Sequence, residues 1–255
     1  MASVKQQNKM AVFLQGCIGV VLFLLLWEFA PRLGWVDSFL IPPISMVLKS
    51  LVEFTMSGDF YSHGVVSIRR AIIGFGSATV VEIPLAFVIG WFKPIRNFLN
   101  PVLQTLRQLP TLALFPALML IFGIGEVSKI VIIAKSCFWP IFLNTVTAVS
   151  EVDPLLVKSA KSMCLSRFGM FSKIVFPSIF PSMFTGFRMS ATHAIVTLVA
   201  AEMMGANAGL GYTIFSAQTH FQIPLMYGGI LIFSGWELIM VLNLLRNESV
   251  LGNKG

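Results

Sequence analysis

Charge is scarce in this sequence. Asp, Glu, Lys and Arg make up 11% of its 255 residues, whereas soluble domains carry about 25%. Hydrophobic residues reach 56%, with 23 Phe and 13 Met among the 255. Such a composition excludes a disordered chain, and it exceeds what the interior of a soluble globule of this length can bury. The sequence therefore indicates a protein embedded in a lipid bilayer.

Several chemical signatures are also missing. The three cysteines, Cys17, Cys137 and Cys164, have no metal-ligand spacing and are predicted to be free thiols. The net charge is +7, but no basic run interleaved with aromatics points to nucleic acid. No Gly-x-x-x-x-Gly-Lys-Ser/Thr loop is present to bind a nucleotide. No nucleophile and base stand at a usable spacing, so an intramembrane enzyme is the least favoured interpretation.

Long apolar blocks predict an all-α polytopic membrane protein of about six transmembrane helices, each about 20 residues long. The blocks are continuously apolar, which favours helices over the alternating strands of a barrel. We expect one transmembrane domain over residues 1–255. The predicted spans are residues 10–29, 65–92, 99–124, 129–150, 183–203 and 226–246.

Basic residues predict the orientation of these spans. If both termini are cytoplasmic, 12 of the 18 Lys and Arg residues lie on the inner side, as the positive-inside rule requires. The predicted location is the plasma (inner) membrane, with both termini in the cytoplasm. Residues 31–62 and 205–224 then lie outside, either as docking surfaces or as ordinary connecting loops.

The inner segment at residues 151–181 carries the most information. Asp153 and Pro154 are typical of a helix start. The apolar residues that follow keep the spacing of one helical face: Leu156, Ala160, Met163 and Cys164. Pro177 should end or kink a helix. These features predict a short amphipathic helix at the inner membrane surface, which either couples to a partner or rests among lipid headgroups.

This segment resembles the EAA loop of permease subunits in binding-protein-dependent ABC importers. The loop pattern is Glu-Ala-Ala, three residues, Gly, nine residues, Ile, any residue, Leu and Pro. The matching positions here are Lys158, Ser159, Ala160, Cys164, Ile174, Phe176 and Pro177. The spacing is kept, while Lys replaces Glu, Ser replaces one Ala, Cys replaces Gly and Phe replaces Leu.

Flanking motifs are similar to the nitrate, sulfonate, taurine and bicarbonate branch of that family. They are residues 39–43 (FLIPP), 67–70 (SIRR), 106–110 (LRQLP), 122–126 (FGIGE), 198–202 (LVAAE) and 209–211 (GLG). Any one of these motifs is weak evidence, but together they extend the resemblance over about residues 35–235.

The resemblance implies a type I ABC importer permease fold with a cytoplasmic coupling helix. This chain would pair with a second permease copy or a paralogue, bind an ABC ATPase dimer inside, and receive solute from an extracytoplasmic solute-binding protein. The ATPase would use ATP, and this chain would bind no cofactor. The residues expected to couple to the ATPase are Lys158, Ser159, Ala160, Met163, Cys164, Ile174 and Pro177.

The resemblance also implies a small solute: a sulfonate, taurine, nitrate or a similar oxyanion. Relatives that carry thiamine precursors or other heterocycles leave a second class of solute open. A different hypothesis is a proton-coupled secondary transporter that uses Glu82, His193 and Glu202, and a protonophore would abolish its uptake.

Polar residues within the predicted spans are the candidates for the solute pathway: Glu82, Asn144, His193, Thr197 and Glu202. A charge at mid-membrane costs about 2.5–3.5 kcal/mol, so Glu82 should face protein or water. We expect Glu82 to be protonated and hydrogen-bonded within the bundle, and His193 to be satisfied there. Glu202 either shapes a gate or anchors its helix. Asn144 is expected to bond between helices.

Overall fold

A computed structural model describes residues 18–163 and 165–251 of the chain. These residues contain helices and no strand, which confirms the all-α prediction. In chain order the helices are α1 (residues 18–32), α2 (Ile44–Met56), α3 (Asp59–Trp91), α4 (Lys93–Arg107), α5 (Phe115–Phe122), α6 (Glu126–Ser150), α7 (Pro154–Ser162), α8 (Arg167–Met170), α9 (Phe176–Gly205), α10 (Leu210–Thr219) and α11 (Ile223–Leu251). A 3-10 turn (Leu112–Leu114) precedes α5, and a π-helical turn (Phe171–Val175) precedes α9.

Two of the described helices, α3 and α6, are long and apolar enough to cross a membrane, and two bent helix pairs raise that number to as many as four. Large apolar side chains are exposed along them, including Val80 and Leu120 at 73% and 88%. Exposure on this scale fits a lipid environment and not water. The predicted first span, residues 10–29, lies partly outside the described residues.

The predicted span at residues 99–124 is not straight. It comprises the end of α4 and the Leu112–Phe122 segment, and the two helices of this pair are bent by 78°. The break falls at residues 108–111, where Pro110 has no backbone N–H to offer a continuing helix.

The described residues form two compact units. The first runs to Tyr61 and includes Thr213–Leu231. Within it, the Trp27 Nε1–H donates to Pro42 O at 3.1 Å, and the Trp27 ring packs edge-on against Tyr227. Glu28 accepts hydrogen bonds from both the backbone N–H and the hydroxyl of Ser45.

The second unit contains Ser62–Tyr212 and the residues from Ile232 onward. Its helices approach closely at glycines. A Cβ at Gly74 of α3 would lie 2.6 Å from Ile133 Cγ2 of α6, and one at Gly186 of α9 would lie 3.0 Å from Pro140 O of α6. Small residues at such crossings are typical of helix packing in membranes. They place α3 and α9 directly against α6.

Candidate functional site

A cavity of about 540 Å³ lies in the second unit, bounded by the end of α4, by α6 and by α9. Eight of its thirteen lining residues have polar side chains: Arg107, Thr111, Ser136, Asn144, Thr147, Glu151, Ser182 and His193. The remaining lining residues are Trp139, Pro140, Leu143, Ala148 and Met189. A polar-lined space inside an apolar helical bundle is costly unless polar groups or water occupy it.

Two of the predicted pathway residues, Asn144 and His193, line this cavity. The Asn144 amide donates to Pro140 O on its own helix at 2.7 Å, and its nitrogen lies 4.0 Å from the Met189 sulfur of α9. Asn144 therefore bonds within α6 and also reaches α9 through the longer contact with sulfur. The His193 side chain is exposed and lines the cavity, which fits its place among the pathway candidates better than a histidine buried within the bundle.

Thr197 lies behind the cavity wall. It is buried, and its hydroxyl donates to Ser136 Oγ at 2.7 Å. The Ser136 hydroxyl in turn lies 3.4 Å from His193 O. Thr197 thus supports a residue of the cavity lining without lining it. The bond joins α6 to α9.

Glu82 is fully buried in α3 and does not line the cavity. Within the described part of the chain neither of its carboxyl oxygens has a hydrogen-bond partner. The expectation that Glu82 faces protein is confirmed, whereas the expected hydrogen bond is absent from these residues. The carboxyl sits on the same face of α3 as Ala78 and Ala86, both of which are buried.

A separate buried network surrounds Glu202. Arg70 Nη1 lies 2.7 Å from Glu202 Oε1, while the other two guanidinium nitrogens contact the two oxygens of Glu126 at 2.8 and 2.5 Å. Arg70 is 3% exposed and Glu202 is fully buried. Bidentate pairing of this kind fixes geometry as well as charge. It ties α3, α6 and α9 together.

The turn into α10 folds back onto the same network. The backbone N–H groups of Leu210 and Gly211 donate to Ser67 Oγ and Glu202 Oε2, both at 2.9 Å. Gly209 has φ of +124°, and a Cβ there would collide with the Glu202 carboxylate. Glycine is therefore required at this position. These contacts favour the anchor interpretation of Glu202 over the gate interpretation.

The sequence identifies the motifs of this network but does not predict that they meet in space. SIRR (67–70), FGIGE (122–126), LVAAE (198–202) and GLG (209–211) all contribute to it. Each motif pairs a charged or hydroxyl residue, or glycines, with an apolar block. Polar residues next to apolar blocks were the signal in the sequence that these motifs meet, because charges at the ends of membrane spans need partners. In the described residues no cluster of three or more His, Cys, Asp or Glu could hold a metal ion.

The predicted coupling segment contains the expected short helix. Asp153 Oδ1 accepts a hydrogen bond from Leu155 N at 2.8 Å, which confirms the predicted cap at the start of α7. Lys158, Ser159 and Met163 are exposed, and Met163 reaches 71%. Ala160 is fully buried against the chain itself. Cys164 lies outside the described residues.

The predicted apolar face of α7 is therefore divided. Ala160 turns inward, whereas Leu156 and Met163 remain exposed at 44% and 71%. Further along, Ile174 is half-buried in the π-helical turn and Pro177 is exposed in the first turn of α9. Regular α-helix is interrupted directly before Pro177, because the π-helical turn ends at Val175 and α9 begins at Phe176. This interruption fits the prediction, since the proline has no N–H to donate to the preceding turn.

Comparisons with known proteins bear on what this arrangement does. The family described as "Binding-protein-dependent transport system inner membrane component" matches residues 82–247. The putative aliphatic sulfonates transport permease protein SsuC of Bacillus subtilis is 32% identical over 231 residues, which cover 90% of this chain and 83% of the relative.

Two further relatives are similar over comparable lengths. The taurine transport system permease protein TauC of Escherichia coli is 28% identical over 89% of this chain and 85% of its own length. The nitrate import permease protein NrtB of Synechococcus elongatus is 29% identical over 82% of this chain and 78% of its own length.

These matches confirm the resemblance drawn from the motifs. The helices described above have the architecture of such a permease, multi-pass in the inner membrane, and the protein is a transport component and not an enzyme. The chain belongs to the family of inner membrane components of binding-protein-dependent transport systems.

Proposed function

We propose that this chain is the permease subunit of an ABC importer and that the cavity between α6 and α9 is its share of the solute pathway. The observation that carries the proposal is the polar lining, which continues from Arg107 at the end of α4 to His193 within α9. Its volume of about 540 Å³ falls within the range of cavities that bind small molecules, about 300–1,000 Å³.

The solute we propose is a small oxyanion, such as an alkanesulfonate, taurine or nitrate. The names of the relatives point to these solutes. The lining supports the same class, because the Arg107 guanidinium can donate paired hydrogen bonds to an oxyanion. The Thr111 hydroxyl adds a neutral donor. An uncharged heterocycle, the second candidate, would gain much less from Arg107.

The partners follow from the same family. An ABC ATPase dimer would cover the exposed face of α7, where Leu156 and Met163 leave apolar surface uncovered by the described residues. The ATPase would use the ATP. A second permease copy or paralogue would complete the pathway, and a solute-binding protein would deliver solute from outside. With both termini in the cytoplasm, α7 and the cavity end at Arg107 and Glu151 lie on the inner side.

The test is uptake by the complete complex, reconstituted in proteoliposomes with its ATPase and binding protein. The perturbation is Arg107→Gln, and the control is Arg96→Gln, which removes a charge from the same helix at a residue that does not line the cavity. Loss of a hydrogen bond from a charged group costs about 1.5–3 kcal/mol, so Arg107→Gln should slow anion uptake about tenfold or more. Arg96→Gln should retain uptake.

Two results would contradict the proposal. One is equal uptake of every tested anion by wild type and Arg107→Gln. The other is an equal loss of uptake in both variants, which would indicate a general effect of charge on α4. The binding protein should be purified first, because the ligand that copurifies with it decides which solute is supplied.

A further inference from the structure

Lys135 is a charged residue in the middle of α6, a helix apolar enough to span the membrane. A lysine within such a helix is costly unless partners compensate its charge. Its Nζ lies 3.2 Å from Thr111 Oγ1 and 3.4 Å from Leu109 O. Both acceptors are more than 20 residues away along the chain, so the contact joins separate segments.

Both acceptors belong to the break between α4 and the Leu112–Phe122 segment. The bend of 78° takes this backbone out of the helical hydrogen-bond pattern, so the carbonyls that are freed need donors from outside the segment. The Lys135 ammonium has three donors and can serve the carbonyl and the hydroxyl at once. The break thereby gains contacts that its own backbone does not supply.

The same short segment forms one wall of the cavity. Arg107 and Thr111 line the cavity, whereas Leu106 and Leu109 line an apolar groove together with Lys135. The ammonium therefore reaches the segment from the groove side. We propose that Lys135 is a positioning residue that holds the residue 107–111 break in place and so fixes Arg107 and Thr111 at the cavity wall. The proposal rests on the proposed function only in taking this cavity as the solute pathway.

The first readout is local and independent of transport. Amide hydrogen exchange is measured on the purified complex of full-length permease and ATPase, following the peptide that covers residues 105–114. Lys135→Met keeps the aliphatic stem and removes all three donors, and Lys135→Arg keeps donors. Loss of hydrogen bonds from a charged group should speed exchange in this peptide about tenfold.

The expected pattern is selective. Exchange at residues 105–114 accelerates in Lys135→Met and stays near wild type in Lys135→Arg. Peptides that cover the Arg70–Glu202 network do not change. The matched control is Lys93→Met, which removes an exposed lysine from α4 and should leave the 105–114 peptide unchanged. Unchanged exchange in Lys135→Met, or acceleration spread over the whole chain, would overturn the proposal.

The second readout is solute uptake by the reconstituted complex. Lys135→Met should lower the maximal uptake rate several-fold while the yield of complex stays normal, and Lys135→Arg should restore the rate. If exchange in Lys135→Met accelerates only at residues 105–114 while uptake stays normal, the positioning role of Lys135 is supported and the cavity is not the pathway. The two proposals can therefore fail separately.

Discussion

Replacing Glu82 with Met should stabilise the protein without impairing transport. Glu82 is fully buried, and neither carboxyl oxygen has a partner among the described residues. Even a neutral carboxyl in that position has given up its hydrogen bonds to water. An unsatisfied buried polar group costs about 1–3 kcal/mol. Met has a similar length and no strong hydrogen-bonding atom, and a volume-conserving swap usually costs less than about 1.5 kcal/mol in repacking.

The net expectation for Glu82→Met is a free energy of unfolding that is unchanged or higher by up to about 3 kcal/mol. The measurement is the midpoint of thermal unfolding of the purified complex, wild type and variant side by side, together with ATP-driven uptake. Glu82→Gln is the matched control, because it keeps the size and a polar group and should bring no gain. A clearly lower midpoint would show that the Glu82 carboxyl stabilises the fold, and uptake abolished in a stably inserted Glu82→Met variant would show that transport needs it.

Three further predictions concern packing, the buried network and the partner surface. Gly74→Ala should destabilise the protein by about 1–3 kcal/mol, because the added Cβ would meet Ile133. A Cβ at Gly76 of the same helix meets nothing within 4 Å, so Gly76→Ala should stabilise the protein by about 0.5–1 kcal/mol. Thermal unfolding of both variants checks this pair. Arg70→Met should lower the free energy of unfolding by about 3–5 kcal/mol, because it leaves the buried Glu202 without its cationic partner. Adding Glu202→Gln should recover part of the lost thermal stability. A double variant that is no more stable than Arg70→Met would count against the pairing. Leu156→Asp should abolish copurification of the ATPase while Leu156→Met retains it, and equal recovery of ATPase with both would exclude α7 as its binding surface.

The class of fold followed directly from the sequence, because continuous apolar blocks in a chain with so little charge leave few alternatives to membrane helices. The start of α7 was predictable for a local reason. Asp153 accepts a hydrogen bond from the backbone N–H of Leu155, two residues further along the chain, and such a cap depends only on neighbouring residues.

The features that the sequence left open depend on distant contacts. Arg70 and Glu202 are 132 residues apart, and no local pattern indicates which charge meets which. The apolar spacing of α7 could not reveal that Ala160 faces the chain itself while Leu156 stays exposed. The bend at residues 108–111 lies within a span that was predicted as continuous. A hydropathy average includes Pro110 with its apolar neighbours and carries no information on the direction of the helix axis.

ATP-driven import can be measured by following a labelled oxyanion into proteoliposomes that contain this permease, its ATPase and, outside, its binding protein. We expect accumulation to require both ATP inside and binding protein outside, and to continue when a protonophore has collapsed the proton gradient. Accumulation without ATP that a protonophore abolishes would contradict the account and favour a proton-coupled transporter.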